Sequence, residues 1–488
     1  MDAPAQRRPA GCTRRAGSYS RAVSTSAPAG LSLWNDTLDT VWAPRPPLGG
    51  DLVADVAIVG AGFTGLWTAY YLARRDPSLR IVVVERETVG FGASGRNGGW
   101  SSALLPMSLS AMSEHSGRES ARRMHQAMIE TIDEIERVVT AEGIDCHFRR
   151  GGTVTAARSA AQAARLQAEI DEFRSFGLGE EHLRWLERDE AITMIATTKL
   201  EGATFTPHCA AIHPARLVHG LAAAVERRGV VIHEHTTVSR IVPDTGHGPS
   251  AVTDRGTLRA HCVVRGTEAF TSTLHSLKRR IAPVYSLMIA TEPLPQEFWD
   301  EVGWHDRQTF ADARRMVIYG QRTADDRIAF GGRGAPYHFG SRIDPRFDVD
   351  DEVHRALHRT LRDLFPRLGD AAITHRWGGP IGIARDWNCS VDHDPASGLA
   401  SAGGYVGDGV STTNLAGRTL ADLITSTPSE VTTLPWVGHR SRSWEPEPLR
   451  WLGINSMVRL PVGADEYEER TGRSERWRSA LLRRVTGH

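Results

Sequence analysis

Residues 55–65 read Asp-Val-Ala-Ile-Val-Gly-Ala-Gly-Phe-Thr-Gly, and this stretch decides the fold. The apolar run at its start is typical of a central parallel strand, which is buried on both faces. Gly60 permits a tight turn, Gly62 lets a pyrophosphate approach the backbone, and Gly65 lets the following helix pack closely on the strand. The N-terminus of that helix then supplies amide donors to the anion. The stretch therefore predicts the strand, turn and helix of a dinucleotide-binding site.

The residues that follow complete this pattern. A helix is predicted from Leu66 to Arg75, and a second apolar strand from Ile81 to Val84 stops at Glu85. Glu85 lies 20 residues past Gly65, where a carboxylate can accept both hydroxyls of an adenosine ribose. A glycine-rich turn alone would be weak evidence, because such turns also serve purely structural roles. Here strand, glycines, helix, strand and acid follow in the required order, and the acid disfavours a 2′-phosphate, which leaves NAD or FAD.

The composition excludes several classes of protein. The chain has 488 residues, 58 basic and 58 acidic side chains and no net charge, which argues against nucleic acid as a partner. Its length exceeds what one hydrophobic core usually fills, so two connected domains are expected. The five cysteines are scattered and form no CxxC pair, which favours the cytoplasm and disfavours a metal site. No apolar run reaches the roughly 18 residues that a membrane helix requires.

The glycine-rich stretch after Glu85 separates the two dinucleotides. Residues 86–100 read Arg-Glu-Thr-Val-Gly-Phe-Gly-Ala-Ser-Gly-Arg-Asn-Gly-Gly-Trp. An NAD dehydrogenase does not need a loop of small residues at this point. A flavin does, because its ribityl chain and ring thread between backbone segments. We therefore expect FAD.

This segment resembles the FAD-dependent D-amino-acid oxidase superfamily, in particular the branch of γ-glutamylputrescine oxidase and related amine and amino-acid oxidases. The resemblance covers most of the chain, and further similar segments lie at 32–34, 46–48, 212–238, 377–382 and 403–410. It implies an α/β fold, with a Rossmann-like FAD-binding domain of the glutathione-reductase type and an interleaved antiparallel-sheet α+β substrate domain.

The resemblance also implies a domain organisation that alternates between these two units. The FAD-binding domain is expected at 51–110, 206–280 and 377–430, the substrate domain at 111–205 and 281–376, a leader and lead-in segment at 1–50, and a C-terminal tail with a helix at about 463–485 within 431–488. Strand-like stretches at 152–156, 203–206, 284–290, 314–319 and 327–332 predict the antiparallel sheet. Helical spacing predicts a packing helix within 115–142, with the core residues Met124, Met128, Ile132, Ile135 and Val139.

A second glycine-rich segment precedes another helix. Residues 403–410 read Gly-Gly-Tyr-Val-Gly-Asp-Gly-Val, and a helix is predicted from Asn414 to Leu423. Directed at a flavin carbonyl, the start of this helix would stabilise the negative charge of the reduced ring.

The resemblance implies the residues that hold the cofactor. Val238 would lie over the adenine, and the full expected set is Gly60, Gly62, Phe63, Thr64, Gly65, Glu85, Arg86, Gly92, Ala93, Ser94, Asn97, Gly98, Gly99, Val238, Gly378, Gly407, Gly409, Val410, Ser411 and Thr412. FAD is expected to be non-covalent, because Cys389 falls well downstream of the position at which the sarcosine oxidase branch attaches its flavin.

Four residues are candidates for the catalytic or substrate site. Arg333 stands between glycines at the end of a predicted hairpin, where its guanidinium can pair with a carboxylate. Arg96 and Asn97 are candidates because they lie within the glycine-rich stretch that follows Glu85. Tyr285 is a candidate because it belongs to the strand that is expected to form the roof over the flavin. Tyr337 and His338 are, like Tyr285, lesser candidates, because isolated aromatic residues in strands are more often core residues. Trp377 can either flank the flavin ring or fill the interface of the sheet.

The reaction implied by the resemblance is oxidation of a C–N bond of an amine or amino acid. Hydride transfer to flavin N5 gives an imine that water hydrolyses, and dioxygen is reduced to hydrogen peroxide. An alternative is a dehydrogenase of the same fold that passes electrons to a quinone or an electron-transfer protein, because Ala329 and Ser411 occupy the positions of the lysine that assists oxygen reduction. A flavin monooxygenase and a non-catalytic flavin-binding subunit are further alternatives, although we find no additional motif for NADPH.

Replacing Arg333 by alanine is expected to raise KM for an anionic substrate, because the guanidinium that would pair with its charge is lost. Steady-state kinetics on an amine and amino-acid panel measure the change. An unchanged KM would remove Arg333 from the site.

Overall fold

The computed structural model describes residues 30–39, 43–332, 334 and 336–471. Its helices are α1 (Leu33–Asp36), α2 (Phe63–Arg75), α3 (Leu109–Ser116), α4 (Arg118–Glu142), α5 (Ala160–Ser175), α6 (Arg188–Met194), α7 (Pro214–Glu226), α8 (Gln296–Val302), α9 (Asp351–Leu364), α10 (Gly409–Ile424) and α11 (Leu449–Thr471). Its strands are β1 (Leu52–Val53), β2 (Val56–Val59), β3 (Ile81–Val84), β4 (Trp100–Ser102), β5 (Thr153–Ala157), β6 (Arg184–Glu187), β7 (Gly202–Thr206), β8 (Cys209–Ala211), β9 (Val231–His233), β10 (Val238–Val242), β11 (Ser250–Thr253), β12 (Thr257–Arg259), β13 (Cys262–Arg265), β14 (Ala282–Thr291), β15 (Thr309–Asp312), β16 (Ile318–Arg322), β17 (Ile328–Gly332), β18 (Ile373–Ile383), β19 (Ser390–Asp394) and β20 (Leu399–Gly403).

A six-stranded sheet contains the predicted dinucleotide-binding strand. Its order is β19-β20-β13-β2-β3-β9, and its strands run parallel except for β19, which pairs antiparallel with β20. Every residue of β2 and β3 is buried, as expected for strands covered on both faces. Helices α2, α7 and α10 pack on one face, and a smaller sheet of order β1-β12-β11-β10 covers the other.

An eight-stranded sheet forms the second layer of the molecule. Its order is β18-β14-β17-β16-β15-β5-β7-β6, and its neighbouring strands are antiparallel except for the parallel pair β15 and β5. This confirms the predicted antiparallel sheet, with one boundary wrong. The strand predicted at 314–319 lies at Ile318–Arg322, because Arg314 pairs with Asp312 and closes a turn after β15.

The chain passes repeatedly between the two sheets. It builds β2 and β3, then β5 to β7, then β9 and β13, then β14 to β18, and returns for β19 and β20. The two sheets are therefore built from segments that alternate along the chain. The alternating order agrees with an interleaved α/β fold, whereas the individual domain boundaries stay predictions.

The predicted helices form, with shifted ends. Helix α4 buries Met124, Met128, Ile132, Ile135 and Val139, which confirms its predicted core face. Helix α2 begins at Phe63 and α10 at Gly409, earlier than predicted, because both helices start directly at the glycine-rich turns. Helix α11 begins at Leu449, well before the tail helix predicted at about 463–485, and overlaps it at residues 463–471. Residues 472–488 lie outside the described residues, so the predicted end of that helix stays a prediction. Within the described part of the chain, we find no helix with the length and apolarity that a membrane crossing requires.

Replacing Gly417 by alanine is expected to lower the melting temperature. In α10 an added Cβ at this position would lie 2.7 Å from Cβ of Trp67 on α2. Overpacking of this kind costs about 1–3 kcal/mol, more than the gain of up to about 1 kcal/mol in helix propensity. Gly453→Ala in α11 is the matched control, since nothing lies within 4 Å of its added Cβ. If thermal unfolding gives both variants the same melting temperature, this account of the contact between α2 and α10 is contradicted.

Candidate functional site

One cavity of about 850 Å³ joins the carboxyl ends of the parallel strands to a polar face of the eight-stranded sheet. Gly60 and Glu85 lie in its wall on the side of the parallel strands, and Ser286 and Tyr319 lie in its wall on the side of the larger sheet. Its volume is in the range of small-molecule and cofactor sites. The cavity therefore brings the predicted dinucleotide loop and the predicted substrate sheet into one space.

The loop between β2 and α2 packs backbone directly against backbone. Gly60 has φ +104°, and a Cβ there would lie 2.8 Å from the carbonyl oxygen of Gly266. A Cβ at Gly65 would lie 2.0 Å from the carbonyl oxygen of Gly60, and one at Gly62 would lie 2.9 Å from Oγ of Ser94. Positions 60 and 65 meet fixed backbone and exclude a side chain, so the helix starts immediately against the end of the strand.

Two helix N-termini open into this cavity. Helix α2 has Gly62 as its N-cap and α10 has Asp408, and neither residue caps its helix with a side-chain hydrogen bond. Ser94 Oγ accepts the N–H of Phe63 at 2.8 Å. The amide groups at the start of a helix attract negative charge, both as donors and through the helix dipole. The cavity is thus suited to a pyrophosphate at α2 and to a second negatively charged group at α10.

Glu85 at the end of β3 is held in place by backbone donors. Its carboxylate accepts the N–H of Ala61 at 2.8 Å and the N–H of Glu87 at 3.0 Å. Burial raises the pKa of Glu85 above its ordinary value, while these two hydrogen bonds oppose the increase. Next to it Arg86 lies 4.6 Å from the ring centre of Phe270, which also lines the cavity. Val238, expected to lie over the adenine, lines the same cavity.

The side chains of Arg96 and Asn97 hold the loop that follows β3. Arg96 donates to Asp348 at 2.5 Å, to the Gly378 carbonyl at 3.1 Å and to the Phe91 carbonyl at 2.8 Å. The amide of Asn97 donates to the backbone within the same loop and accepts the N–H of Gly99 at 2.8 Å. Both residues line the cavity, but Nε and Nη1 of Arg96 and the side-chain amide of Asn97 are engaged in shaping its wall.

Sequence reasoning missed Glu268, which fixes the turn before α10. Its carboxylate accepts the N–H groups of Gly404 at 3.0 Å and Tyr405 at 3.3 Å. Burial raises the pKa of Glu268 to about 7, against the opposing effect of these donors. The available signal was its position just after the apolar strand β13, since ligands of parallel sheets bind beyond the carboxyl ends of the strands.

Sequence reasoning also missed the hydroxyl pair Ser286 and Tyr319. Their oxygen atoms lie 2.8 Å apart in the cavity wall. The predicted neighbour Tyr285 lies outside the wall, because successive side chains of β14 point to opposite faces. Its hydroxyl accepts the N–H of Asp344 at 3.2 Å and its ring packs in the apolar core.

The structure brings most of the other predicted residues to the cavity. Those in its wall are Gly60, Gly62, Phe63, Thr64, Glu85, Arg86, Gly92, Ala93, Ser94, Arg96, Asn97, Gly98, Val238, Gly407, Gly409 and Val410. Those behind the wall are Gly65, Gly99, Gly378, Ser411 and Thr412. Ser411 shares a hydrogen bond of 3.0 Å with Ser101, and the Cβ of a residue at 378 would lie 2.1 Å from Leu287. Arg333 lies outside the described residues.

The lesser aromatic candidates are structural contacts and do not line the cavity. Trp377 is buried and donates to the carbonyl of Arg96 at 2.9 Å. The hydroxyl of Tyr337 donates to Glu447 at 2.8 Å, and His338 stacks on Phe347.

The residues present fit the expected FAD. The close-packed backbone at Gly60, the N-termini of α2 and α10 and the buried carboxylate at the end of β3 all border one cavity. The glycine loop with the N-terminus of α2 matches a pyrophosphate, the N-terminus of α10 matches a flavin carbonyl, and the carboxylate of Glu85 matches an adenosine ribose.

Comparison with known proteins agrees with this fit. Residues 55–423 match the DAO family, described as FAD dependent oxidoreductase. The chain is 29% identical over 391 residues to a gamma-glutamylputrescine oxidoreductase of Escherichia coli, covering 78% of this chain and 86% of that protein. It is 28% identical over 389 residues to a probable oxidoreductase OrdL of Haemophilus influenzae, covering 78% and 84%. A glycine oxidase of Geobacillus kaustophilus superposes with a TM-score of 0.67 at 23% identity, covering 80% of this chain and all of the other. The resemblance and the fold class inferred from the sequence are confirmed.

Replacing Glu85 by glutamine is expected to weaken FAD binding about 10- to 100-fold, because a hydrogen bond to a charged group contributes about 1.5–3 kcal/mol. Glu87→Gln is the matched control, since the Glu87 side chain is near Arg86 and outside the cavity wall. The ratio of flavin to protein absorbance and a fluorescence titration of the apoprotein measure the effect. Equal FAD affinity in both variants would remove Glu85 from the cofactor site.

Proposed function

Since the chain belongs to the DAO family of FAD-dependent oxidoreductases, we propose that it oxidises a C–N bond of an amine or amino acid. The observation that carries this proposal is the single cavity in which the dinucleotide loop and the hydroxyl pair of the large sheet face the same space. The names of the E. coli relative and of the glycine oxidase support an amine or amino acid as the substrate class.

FAD supplies, when bound, the two-electron acceptor that takes a hydride from the carbon next to the substrate nitrogen. The substrate then becomes an imine, which water hydrolyses to a carbonyl compound and ammonia or an amine. Ser286 and Tyr319 can hold the nitrogen, because each hydroxyl both donates and accepts a hydrogen bond. A substrate that binds as the neutral amine needs no further base. The contribution of the chain is therefore orientation of the reacting carbon.

The Tyr319 ring is fixed between two glycines. A Cβ at Gly98 would lie 2.7 Å from the ring, and a Cβ at Gly331 would lie 2.5 Å from it. The ring also meets Trp100 edge-on, with ring centres 6.3 Å apart. A tyrosine held in this way keeps its hydroxyl in one place when a substrate binds.

The positions of the two lysines favour a second candidate function, a dehydrogenase that transfers electrons to a quinone or a protein. Lys199 lies 3.6 Å from Glu469, and neither it nor Lys278 lines the cavity. Ala329 is buried in β17 and Ser411 lies behind the wall, so neither predicted lysine position faces the cavity. The oxidase proposal therefore requires oxygen reduction without a lysine.

We further propose that FAD is held without a covalent bond and that the protein works in the cytoplasm. Cys389 is packed in the core, and burial raises the pKa of its thiol to about 12. A thiol in this state is a poor nucleophile. The scattered cysteines support a reducing compartment.

The purified protein is expected to show flavin absorbance and to be bleached anaerobically by members of an amine and amino-acid panel. Peroxide release in air would support the oxidase. Bleaching with dye reduction and no peroxide would support the dehydrogenase. A colourless protein that does not take up FAD would overturn the proposed function.

Tyr319→Phe is expected to lower kcat/KM about tenfold, because one hydrogen bond to the substrate nitrogen is lost while the ring keeps its place. Tyr467→Phe on α11 is the control, since that ring is outside the cavity wall. Steady-state kinetics with the best substrate of the panel measure both variants. Unchanged kinetics for Tyr319→Phe would show that its hydroxyl does not contact the substrate.

A further inference from the structure

Glu169 on α5 places a carboxylate in the wall of the cavity, on the side of the eight-stranded sheet. Among the residues that the structure describes, none makes a hydrogen bond or an ion pair with this carboxylate. Arg165, one helical turn earlier, instead donates to Glu468 on α11 at 2.7 and 2.8 Å. Burial, and then the charge of Glu172, raise the pKa of Glu169 to about 7. A cavity-facing carboxylate that has no cation within the described part of the chain favours a cationic group bound in the cavity.

The described residues of the cavity wall on the side of Glu169 carry no other charge. Thr153 and Thr155 of β5 pair with Thr206 and Thr204 of β7, and all four threonines line the cavity. Leu104 and Leu183 add apolar surface. Among the described residues of the eight-stranded sheet and of α5 that line the cavity, Glu169 alone carries an ionisable side chain with a full charge.

This carboxylate is remote from the hydroxyl pair. Helix α5 packs against β5, β6 and β7, and two strand spacings separate β5 from β16, on which Tyr319 lies. With neighbouring strands about 4.8 Å apart, the threonines of β5 lie roughly 10 Å across the sheet from β16, and β7 lies farther. Glu169 is therefore placed to meet a group distant from the carbon that is oxidised.

We propose that Glu169 binds the distal ammonium group of an elongated diamine-type substrate, whose other nitrogen is next to the oxidised carbon. This inference rests on the proposed function and names its substrate class. A bound ammonium pairs with the carboxylate, the threonine hydroxyls accept its remaining N–H groups, and the leucines cover the methylene chain. A monoamine of equal length leaves the carboxylate unpaired.

The test uses the FAD-loaded enzyme and three series of probes of increasing length: α,ω-diamines, n-alkylamines and ω-amino acids. Calorimetry measures binding, and anaerobic bleaching of the flavin measures reaction. Wild-type enzyme is expected to bind the best diamine about tenfold or more tightly than the n-alkylamine and the ω-amino acid of the same length. Equal or tighter binding of the monoamine or the amino acid would overturn the inference without any variant.

Glu169→Gln is expected to remove this preference, weakening the diamine about tenfold and leaving the monoamine unchanged. Asp171→Asn removes a charge from an exposed position of the same helix and serves as the matched control. Glu169→Asp shortens the side chain by one methylene, so the preferred diamine should become longer. Equal weakening of diamine and monoamine in Glu169→Gln would overturn the assignment. If diamines bind in a Glu169-dependent manner but no probe bleaches the flavin, the inference stands and the proposed function fails.

Discussion

Direct contact between backbone segments at the carboxyl ends of the parallel strands is the constraint on which the rest of the structure depends. A Cβ at Gly65 would lie 2.0 Å from the carbonyl oxygen of Gly60, and one at Gly60 would lie 2.8 Å from that of Gly266. Because no side chain intervenes between β2 and α2, the helix starts where the strand ends, at the wall of the cavity. Ser94 Oγ accepts the N–H of Phe63, and Gly62 at the N-cap adds no side chain of its own, so the helix dipole favours an anionic cofactor at this end.

The two large sheets are coupled through the glycine-rich loop that follows β3. Gln321 on β16 donates to the carbonyl of Gly98 at 2.8 Å and to that of Ile212 at 3.1 Å. A Cβ at Gly99 would lie 1.9 Å from the amide nitrogen of Gln321. The strand that carries the cavity hydroxyl of Tyr319 is therefore bound directly to the loop predicted to hold the cofactor. This contact sets the position of the substrate surface relative to the cofactor surface.

The cofactor side was largely predictable because its chemistry depends on local backbone geometry. A tight turn, a close approach and a helix start need glycines at short fixed spacing, and the segments at 60–65 and 403–410 show them. The substrate side was not predictable in this way. Ser286 and Glu169 lie in no motif, and strand alternation decided that Ser286 rather than Tyr285 faces the cavity.

The sequence by itself determined the α/β class, the dinucleotide loop and FAD as the expected cofactor, since each follows from residues adjacent in the chain. Only the tertiary structure decided which side chains share the cavity. In the tertiary structure Arg96 forms an ion pair with Asp348, and the Glu268 carboxylate accepts a backbone N–H from the turn before α10. Glu169 has no partner among the described residues. The physical reason is that these relations join segments far apart in the chain. Such contacts depend on sheet order and strand register, which no local pattern records.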